Sequence, residues 1–352
     1  MYHKETLEAI SLLKEMIKIP SFSREEQTLS EYLHRYFESR ALKPKKIGNN
    51  IYLINKEIDK HKKTILLNSH IDTVKPVTGW KLDPFVPLEK EGKIFGLGSN
   101  DAGASVVSLL QTFLILSKKE QPYNLIFLAS AEEEVSGKNG VEQAIDLLPK
   151  IDFAIVGEPT QMNLAIAEKG LIVLDCTIYG KAGHAARNEG ENAIYKSLKA
   201  IEWFQNYKFE KKSTLLEDVK MSVTQINAGT QHNVIPDKCT FVVDIRTNEQ
   251  YTNEELLRII NEKTNCEVSA RSTRLSSSKT PKNHPIIKRS AALHLQLYGS
   301  PTLSDQALMK FPSVKIGPGK SERSHTADEY VRINEIEEAI KIYVNLLDGL
   351  EI

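Results

Sequence analysis

The segment TILLNSHIDTVKP, residues 64–76, joins a run of apolar residues to a His-x-Asp pair. Ile65, Leu66 and Leu67 are typical of a buried strand, and His70 and Asp72 follow directly after it. An isolated His-x-Asp is more often part of a surface turn than of a metal site, because short motifs match by chance. The rest of the chain has to decide between these two interpretations.

Short apolar segments alternate with helical patterns on both sides of this stretch. The predicted strands are 51–54, 64–69, 124–130 and 153–158. Helical patterns cover 7–17, 28–40 and 104–117, and Ser23 and Glu26 form a capping-box pattern before the second of them. This alternation predicts an α/β fold with a mixed central sheet flanked by helices.

A second type of pattern begins near residue 170. The segments 171–180, 221–229 and 239–247 are rich in β-branched residues, and helical segments lie between and after them. We therefore predict an α/β domain of residues 1–168 and 278–352, interrupted by an inserted α+β domain of residues 169–277. The polar stretch 274–285 is typical of a linker.

The composition excludes several classes of function. Lysine plus arginine and aspartate plus glutamate both number 46 among the 352 residues, so charge gives no reason to expect a nucleic-acid or acidic-lipid partner. Three widely spaced cysteines, Cys176, Cys239 and Cys266, do not suit a disulfide framework. The N-terminus lacks the apolar core of a signal peptide, and no apolar stretch approaches the ~20 residues that span a bilayer. We expect a cytoplasmic protein without a membrane partner.

Polar residues recur where the predicted strands end. Open α/β sheets bind ligands outside the carboxyl ends of their strands. The candidates there and in the loops that follow are His70, Asp72, Asp101, Glu132, Glu133, Glu134, Glu158 and His325. Each alone has an ordinary interpretation, such as a helix cap for Asp101. Together, crowded carboxylates would repel one another unless a cation held them. Two histidines with several carboxylates suit zinc or a similar ion, and they suffice for two ions sharing one carboxylate.

The ordered set of motifs resembles a known family over nearly the whole chain. This is the M20-type zinc peptidase and deacylase family, which contains acetylornithine deacetylase, succinyl-diaminopimelate desuccinylase and carboxypeptidase-type enzymes. The motifs, in order, are SHIDTV, GSNDAG, AEEEVSG, VGEPT, GKAGHAA, HNVIPD, DIRT and SHTADEY. The resemblance implies that the inserted domain is ferredoxin-like and serves in dimerisation or as a lid.

The resemblance also implies a metal centre with assigned residues. Two zinc ions, with cobalt or manganese as alternatives, would be held by His70, Asp101, Glu134, Glu158 and His325. Asp101 would bridge the two ions, Asp72 would orient the imidazole of His70, and Glu133 would act as base and then as acid. A shift of one residue in the alignment of Glu132, Glu133 and Glu134 would exchange their roles.

The remaining carried-over residues concern the substrate. His184 resembles a family histidine that reaches across a homodimer from the small domain and stabilises the oxyanion. Asn233 and Arg246 match substrate-binding positions, and a guanidinium can clasp an α-carboxylate with two hydrogen bonds. Arg246 could instead pair with Asp244 or Glu249. Gly319, in IGPGK, would offer a backbone donor near the acyl group.

The resemblance favours removal of an acetyl or succinyl group from a small N-acyl amino acid. The short chain is most similar to the acetylornithine deacetylase branch, which implies N2-acylornithine or acylcitrulline in arginine biosynthesis as the substrate. Desuccinylation of diaminopimelate and a metallo-aminopeptidase or dipeptidase activity are alternatives within the family. An inactive metal-binding scaffold is the alternative from another class, and the intact Glu133 and ligand positions argue against it.

Overall fold

The structure is a computed structural model that describes residues 2–352, so Met1, the first residue of the predicted α/β domain, lies outside it. The α-helices in this range are α1 (His3–Ile17), α2 (Gln27–Ser39), α3 (Ala104–Leu116), α4 (Val141–Leu147), α5 (Ala193–Asn206), α6 (Asn253–Lys263), α7 (Pro285–Ala292) and α8 (Ile333–Leu347). The strands are β1 (Lys45–Ile47), β2 (Asn50–Ile54), β3 (Lys63–His70), β4 (Leu88–Lys90), β5 (Lys93–Phe95), β6 (Tyr123–Ser130), β7 (Phe153–Val156), β8 (Leu164–Glu168), β9 (Gly170–Tyr179), β10 (Gly183–His184), β11 (Lys220–Ala228), β12 (Val234–Ile235), β13 (Lys238–Thr247), β14 (Glu267–Ala270), β15 (Ser278–Lys279), β16 (Leu297–Ser300), β17 (Ser313–Lys315) and β18 (Tyr330–Arg332).

The main sheet is mixed, with parallel strands at its centre. Its order is β1-β2-β6-β3-β7-β17-β8-β15, and β16 pairs with β8. The strand β3 runs parallel to both β6 and β7, whereas β2 runs antiparallel to β6. All of β6 and all of β3 except Lys63 are buried, as expected of strands covered on both faces. Their carboxyl ends therefore meet at one edge of the sheet.

Helices cover this sheet because their apolar residues repeat at helical spacing. The helix α3 contacts β3 and β6, and all of its residues except Leu114 are buried. On α1, Ile10, Leu13 and Ile17 are buried, as their spacing predicts. The central helix α3 starts at Ala104, three residues after Asp101, and Asp101 lies next to His70 at the edge where β3 and β6 end.

The second part of the chain forms a smaller antiparallel sheet. Its strand order is β11-β13-β9-β14, and the chain order β9-α5-β11-β13-α6-β14 is that of a ferredoxin-like unit. Alternate residues of β13 are buried, so that one face forms a core with Ile172, Leu174, Phe241 and Val243. The predicted fold class, a mixed α/β sheet with a separate small α+β part, is confirmed.

The chain divides into two compact units. Unit 1 comprises the described residues up to Ile166, with Lys279–Tyr298 and Ser304–Ile352. Unit 2 comprises Ala167–Ser278 and Gly299–Leu303. The dimerisation or lid role given to the inserted domain stays a prediction. Within residues 2–352, no helix is both long and apolar enough to cross a membrane.

Two local predictions are wrong. The hydroxyl of Ser23 donates to Asp72 and does not cap α2, and Glu26 occupies the N-cap position of that helix without a side-chain cap. The stretch 274–285 is not a plain linker, because it contains β15 and the first residue of α7. In both cases a tertiary contact overrides the local signal.

Candidate metal centre

The imidazole of His70 is fixed at the carboxyl end of β3 and is 1% exposed. Its Nδ1 lies 2.9 Å from the backbone carbonyl oxygen of Asp72, and its Nε2 lies 3.2 Å from Oδ1 of Asp101. Since a carbonyl oxygen can only accept, Nδ1 carries the proton of the neutral ring. The lone pair of Nε2 is then available to a metal ion.

The carboxylate of Asp72 holds the neighbouring loops in place. It accepts hydrogen bonds from the Ser23 hydroxyl (2.7 Å) and from the backbone N–H groups of Glu133 (3.0 Å) and Glu134 (3.1 Å). Burial opposes its ionisation, but His70 and these donors hold the pKa of Asp72 below its ordinary value. Asp72 thus holds the glutamate turn through its carboxylate. It contacts His70 through its backbone carbonyl, at 2.9 Å, and through its carboxylate, at 3.5 Å.

The three consecutive glutamates face different surroundings. Glu132 has a left-handed backbone (φ 55°), and its Oε1 accepts a hydrogen bond from Nδ2 of Asn139 at 2.9 Å. The side chains of Glu133 and Glu134 lie instead in a group with His70, with ligand atoms within 4.8 Å of one another. The separate roles of Glu133 as base and Glu134 as ligand stay predictions.

The loop carrying Asp101 is held by a carboxylate from late in the chain. Glu329 is 2% exposed and accepts from the backbone N–H groups of Gly98 (3.0 Å), Asn100 (2.7 Å) and Asp101 (2.9 Å). Burial and the charge of Asp101 raise the pKa of Glu329 to about 8. The segment Ser99–Gly103 is not a regular helix, so these N–H groups depend on Glu329.

Two groups of candidate ligands share Asp101. His70, Asp101 and Glu158 form one group, and Asp101, Glu134 and His325 form the other, each with its ligand atoms within 4.8 Å. Oδ1 of Asp101 lies 3.2 Å from Nε2 of His70, and Oδ2 lies 3.6 Å from Nε2 of His325. The two oxygens of one carboxylate thus face two different imidazoles, as a bridging ligand requires. The five predicted ligands all lie in these groups.

The donor set fits divalent metal ions. Oε1 of Glu158 is buried without a hydrogen-bond partner. Burial, together with the neighbouring carboxylates, raises the pKa values of Glu133 and Glu158 well above normal. Burial alone would lower the pKa of His70, but its bonds to Asp101 and Asp72 raise it well above normal. Because a cation would relieve this crowding of carboxylates, nitrogen and oxygen donors here suit zinc.

The predicted residues of unit 2 have their own local contacts. His184 and Asn233 are neighbours, because His184 pairs with Val234 in the β10–β12 ladder. Nδ1 of His184 accepts a hydrogen bond from the backbone N–H of Ala186. The guanidinium of Arg246 donates to both carboxylate oxygens of Asp244, at 2.9 and 3.2 Å. Their roles at a substrate stay predictions.

Gly319 is needed for a steric reason. Its φ is +87°, and a Cβ at this position would lie 2.2 Å from Oδ1 of Asn100. A side chain here would therefore displace the Asn100 amide. Its predicted role as a backbone donor to substrate stays a prediction.

Sequence reasoning missed three buried polar residues near the site: Asn100, Asp305 and Glu329. Asp305 accepts hydrogen bonds from Nδ2 of Asn68 and Oγ of Ser130, both at 2.7 Å. Burial raises the pKa of Asp305 to about 6. Asp305 and Glu329 do not directly follow a predicted strand, so the strand-end signal could not find them.

Comparison with known proteins identifies the family. The family model described as "Peptidase family M20/M25/M40" matches residues 66–349. The chain is 26% identical to a succinyl-diaminopimelate desuccinylase of Pelagibacter ubique, covering 97% of this chain and 98% of the relative. It is 28% identical to an acetylornithine deacetylase of Proteus mirabilis, covering 81% and 79%. The fold is similar to that of a Bacillus subtilis protein described as a dinuclear metal-binding peptidase of the M20 family, with a TM-score of 0.74, 16% identity and coverage of 99% and 98%.

Proposed function

Because this chain belongs to peptidase family M20/M25/M40 and is thus a metallohydrolase, we propose that it removes an acetyl or succinyl group from the amino group of an amino acid. One observation carries the proposal. The two carboxylate oxygens of Asp101 face different imidazoles, and the carboxylate of Glu133 lies 4.0 Å from Nε2 of His70. This arrangement suits hydrolysis of an amide by two metal ions and a general base.

The metal ions would have separate ligands around Asp101. His70 and Glu158 would complete one site, and Glu134 and His325 the other. Zinc suits these donors, with cobalt or manganese as alternatives. Two such ions, when bound, polarise the amide carbonyl and acidify the attacking water.

Glu133 is the proposed proton carrier. Its carboxylate takes a proton from the attacking water as the new carbon–oxygen bond forms, and it passes this proton to the amine nitrogen as the carbon–nitrogen bond breaks. Burial and neighbouring carboxylates raise the pKa of Glu133. A raised pKa lies closer to neutral pH, where one carboxyl group can both take up and release a proton. Asp72 would hold the turn that carries Glu133 and the imidazole of His70 in their positions.

The residues of unit 2 would complete the site in a homodimer. His184 of one chain would donate to the oxyanion formed in the other chain, while Asn233 and Arg246 would bind the substrate. Arg246 suits an α-carboxylate because its planar group donates two parallel hydrogen bonds. The backbone of Gly319 would lie near the acyl group.

The substrate class is supported by the names of two relatives. The relative from Pelagibacter ubique is named for removal of a succinyl group from diaminopimelate, and the relative from Proteus mirabilis for removal of an acetyl group from ornithine. Both substrates are N-acyl amino acids with a second polar group. We favour N2-acylornithine or acylcitrulline in arginine biosynthesis, with succinyl-diaminopimelate or a dipeptide as alternatives.

The test is a substrate panel with the zinc-loaded protein. N-acetyl and N-succinyl forms of ornithine, citrulline and diaminopimelate are compared with dipeptides, and the liberated amine is measured. We expect turnover of at least one acylated amino acid and much slower cleavage of dipeptides, with Glu133→Gln as the blank. Preferred cleavage of dipeptides would replace the deacylase proposal with a peptidase. A metal-loaded protein that cleaves neither class would contradict both.

A further inference from the structure

The Asp101 loop depends on Glu329 for its backbone hydrogen bonds. In a regular helix, carbonyl oxygens one turn earlier would accept from these N–H groups, but Asp101 has non-helical torsions (φ −121°, ψ 95°). The single carboxylate of Glu329 accepts from Gly98, Asn100 and Asp101 instead. Since buried N–H groups require acceptors, the position of Glu329 sets the position of the Asp101 backbone.

The Asn100 side chain also connects the Asp101 loop to the late part of the chain that carries Glu329. Its Oδ1 accepts from the backbone N–H of Lys320, and its Nδ2 donates to the backbone carbonyl of the same residue, both at 3.0 Å. Nδ2 also lies 3.2 Å from Oγ of Ser324, next to His325. Asn100 is fully buried, and its primary amide supplies both the donor and the acceptor that these contacts need.

These contacts join the shared ligand to the segment that carries His325. We propose that Glu329 and Asn100 form a clasp that positions the Asp101 carboxylate opposite His325, and that they are positioning residues of the metal centre. The inference rests on the proposed metal site. Its basis is that Lys320, Ser324 and Glu329 all lie within ten residues of one another, on either side of His325.

A positioning role and ordinary loop packing predict different effects on metal affinity. Asp101 is the one candidate ligand common to both groups, so a shift of its backbone would weaken the binding of two ions together. Contacts outside the ligands commonly change metal affinity by about 10- to 100-fold. Loss of packing alone would lower stability and leave the affinity of the folded protein unchanged.

The experiment compares three variants. Glu329→Gln leaves at least one N–H of the loop without its carboxylate acceptor. Asn100→Ala removes the amide without changing any charge. Glu338→Gln is the control for the loss of a carboxylate, because Glu338 is an exposed residue of α8 outside the segment that carries His325. Co²⁺ is titrated into each metal-free protein, and its visible absorption reports both affinity and ligand geometry.

We expect wild type to bind two ions, and Glu329→Gln and Asn100→Ala each to bind them about tenfold or more weakly, with altered Co²⁺ spectra. Glu338→Gln should stay within about twofold of wild type. If Glu329→Gln weakened Co²⁺ binding and Asn100→Ala did not, only the charge of Glu329 would matter, and the proposed clasp would be wrong. If the wild-type protein bound no metal, the proposed metal-dependent function itself would be contradicted.

A second measurement needs no variant. Hydrogen–deuterium exchange of metal-free wild type should show slow exchange at the amides of Asn100 and Asp101, because the clasp exists before metal binds. Exchange as fast as that of exposed loops would contradict the proposal even if both variants failed to fold.

Discussion

The candidate residues of unit 1 and unit 2 are held in different ways. In unit 1, Asp72 is bound by Ser23 and by the Glu133 turn, and Glu329 binds a loop more than 200 residues earlier in the chain. In unit 2, His184 accepts from Ala186 and Arg246 pairs with Asp244, each only two positions away. Long-range hydrogen bonds thus hold the side chains of the first set, whereas the side chains of His184 and Arg246 bond to residues two positions away.

This difference bears on which part of the site is ready before substrate binds. Side chains that many contacts hold can present a metal site without further rearrangement. His184 and Arg246 have few such contacts, so their proposed roles depend on the binding of a second chain or of the substrate. We therefore expect unit 1 residues to control metal binding and the proton transfer, and unit 2 residues to control the substrate and the oxyanion.

The largest effect should come from Glu133→Gln. The amide keeps the shape of the side chain but cannot take a proton, and Glu134 remains free to bind metal. We expect kcat to fall by about 10²- to 10⁴-fold, the usual range for general acid–base catalysis, with metal content by elemental analysis unchanged.

Glu132→Gln is the matched control, since Glu132 bonds to Asn139 and lies outside the candidate ligand groups. Its kcat should stay within a few-fold of wild type. If Glu132→Gln removed activity while Glu133→Gln lost a metal ion, the assignment of the glutamates would have to move by one residue.

The next effect concerns His184, which tests whether unit 2 works across a homodimer. His184→Ala should lower kcat by about 10²- to 10³-fold, as loss of an oxyanion donor does, without changing metal content. Mixing this variant with Glu133→Gln under conditions of subunit exchange should restore activity. Random exchange makes roughly half the dimers mixed, each with one intact site, so about a quarter of wild-type activity is expected.

The mixing experiment can also contradict the shared site. If labelled subunits exchange but activity does not return, His184 acts within its own chain or not at all. A monomeric wild type by sedimentation, with full activity, would lead to the same conclusion.

The sequence predicts the fold class and the metal candidates better than the contacts that support them. Apolar strands with polar ends are local patterns that make His70, Glu134 and Glu158 candidates, and the motif GSNDAG adds Asp101. Their roles as ligands stay predictions. The partners Glu329 and Asp305 act through contacts more than 170 residues apart in the chain, which no local pattern reports. Ser23 shows the same limit, because its hydroxyl bonds to Asp72 and not to α2.

The smallest effect should come from Arg246, and it separates a substrate role from a structural one. Arg246→Lys keeps the positive charge but cannot form two parallel hydrogen bonds with a carboxylate. We expect KM for the best acylated amino acid to rise about tenfold, equivalent to about 1.4 kcal/mol of binding, with kcat nearly unchanged.

Asp244→Asn is the control for Arg246, because it weakens the ion pair and leaves the guanidinium in place. The pair is partly exposed, so its loss should cost at most about 1 kcal/mol of stability and change KM less than Arg246→Lys does. A substrate analogue with an amide in place of its α-carboxylate should bind wild type weakly and lose little further affinity on Arg246→Lys. If both variants raised KM equally and the analogue lost affinity like the acid, Arg246 would serve only to hold Asp244 and its strand.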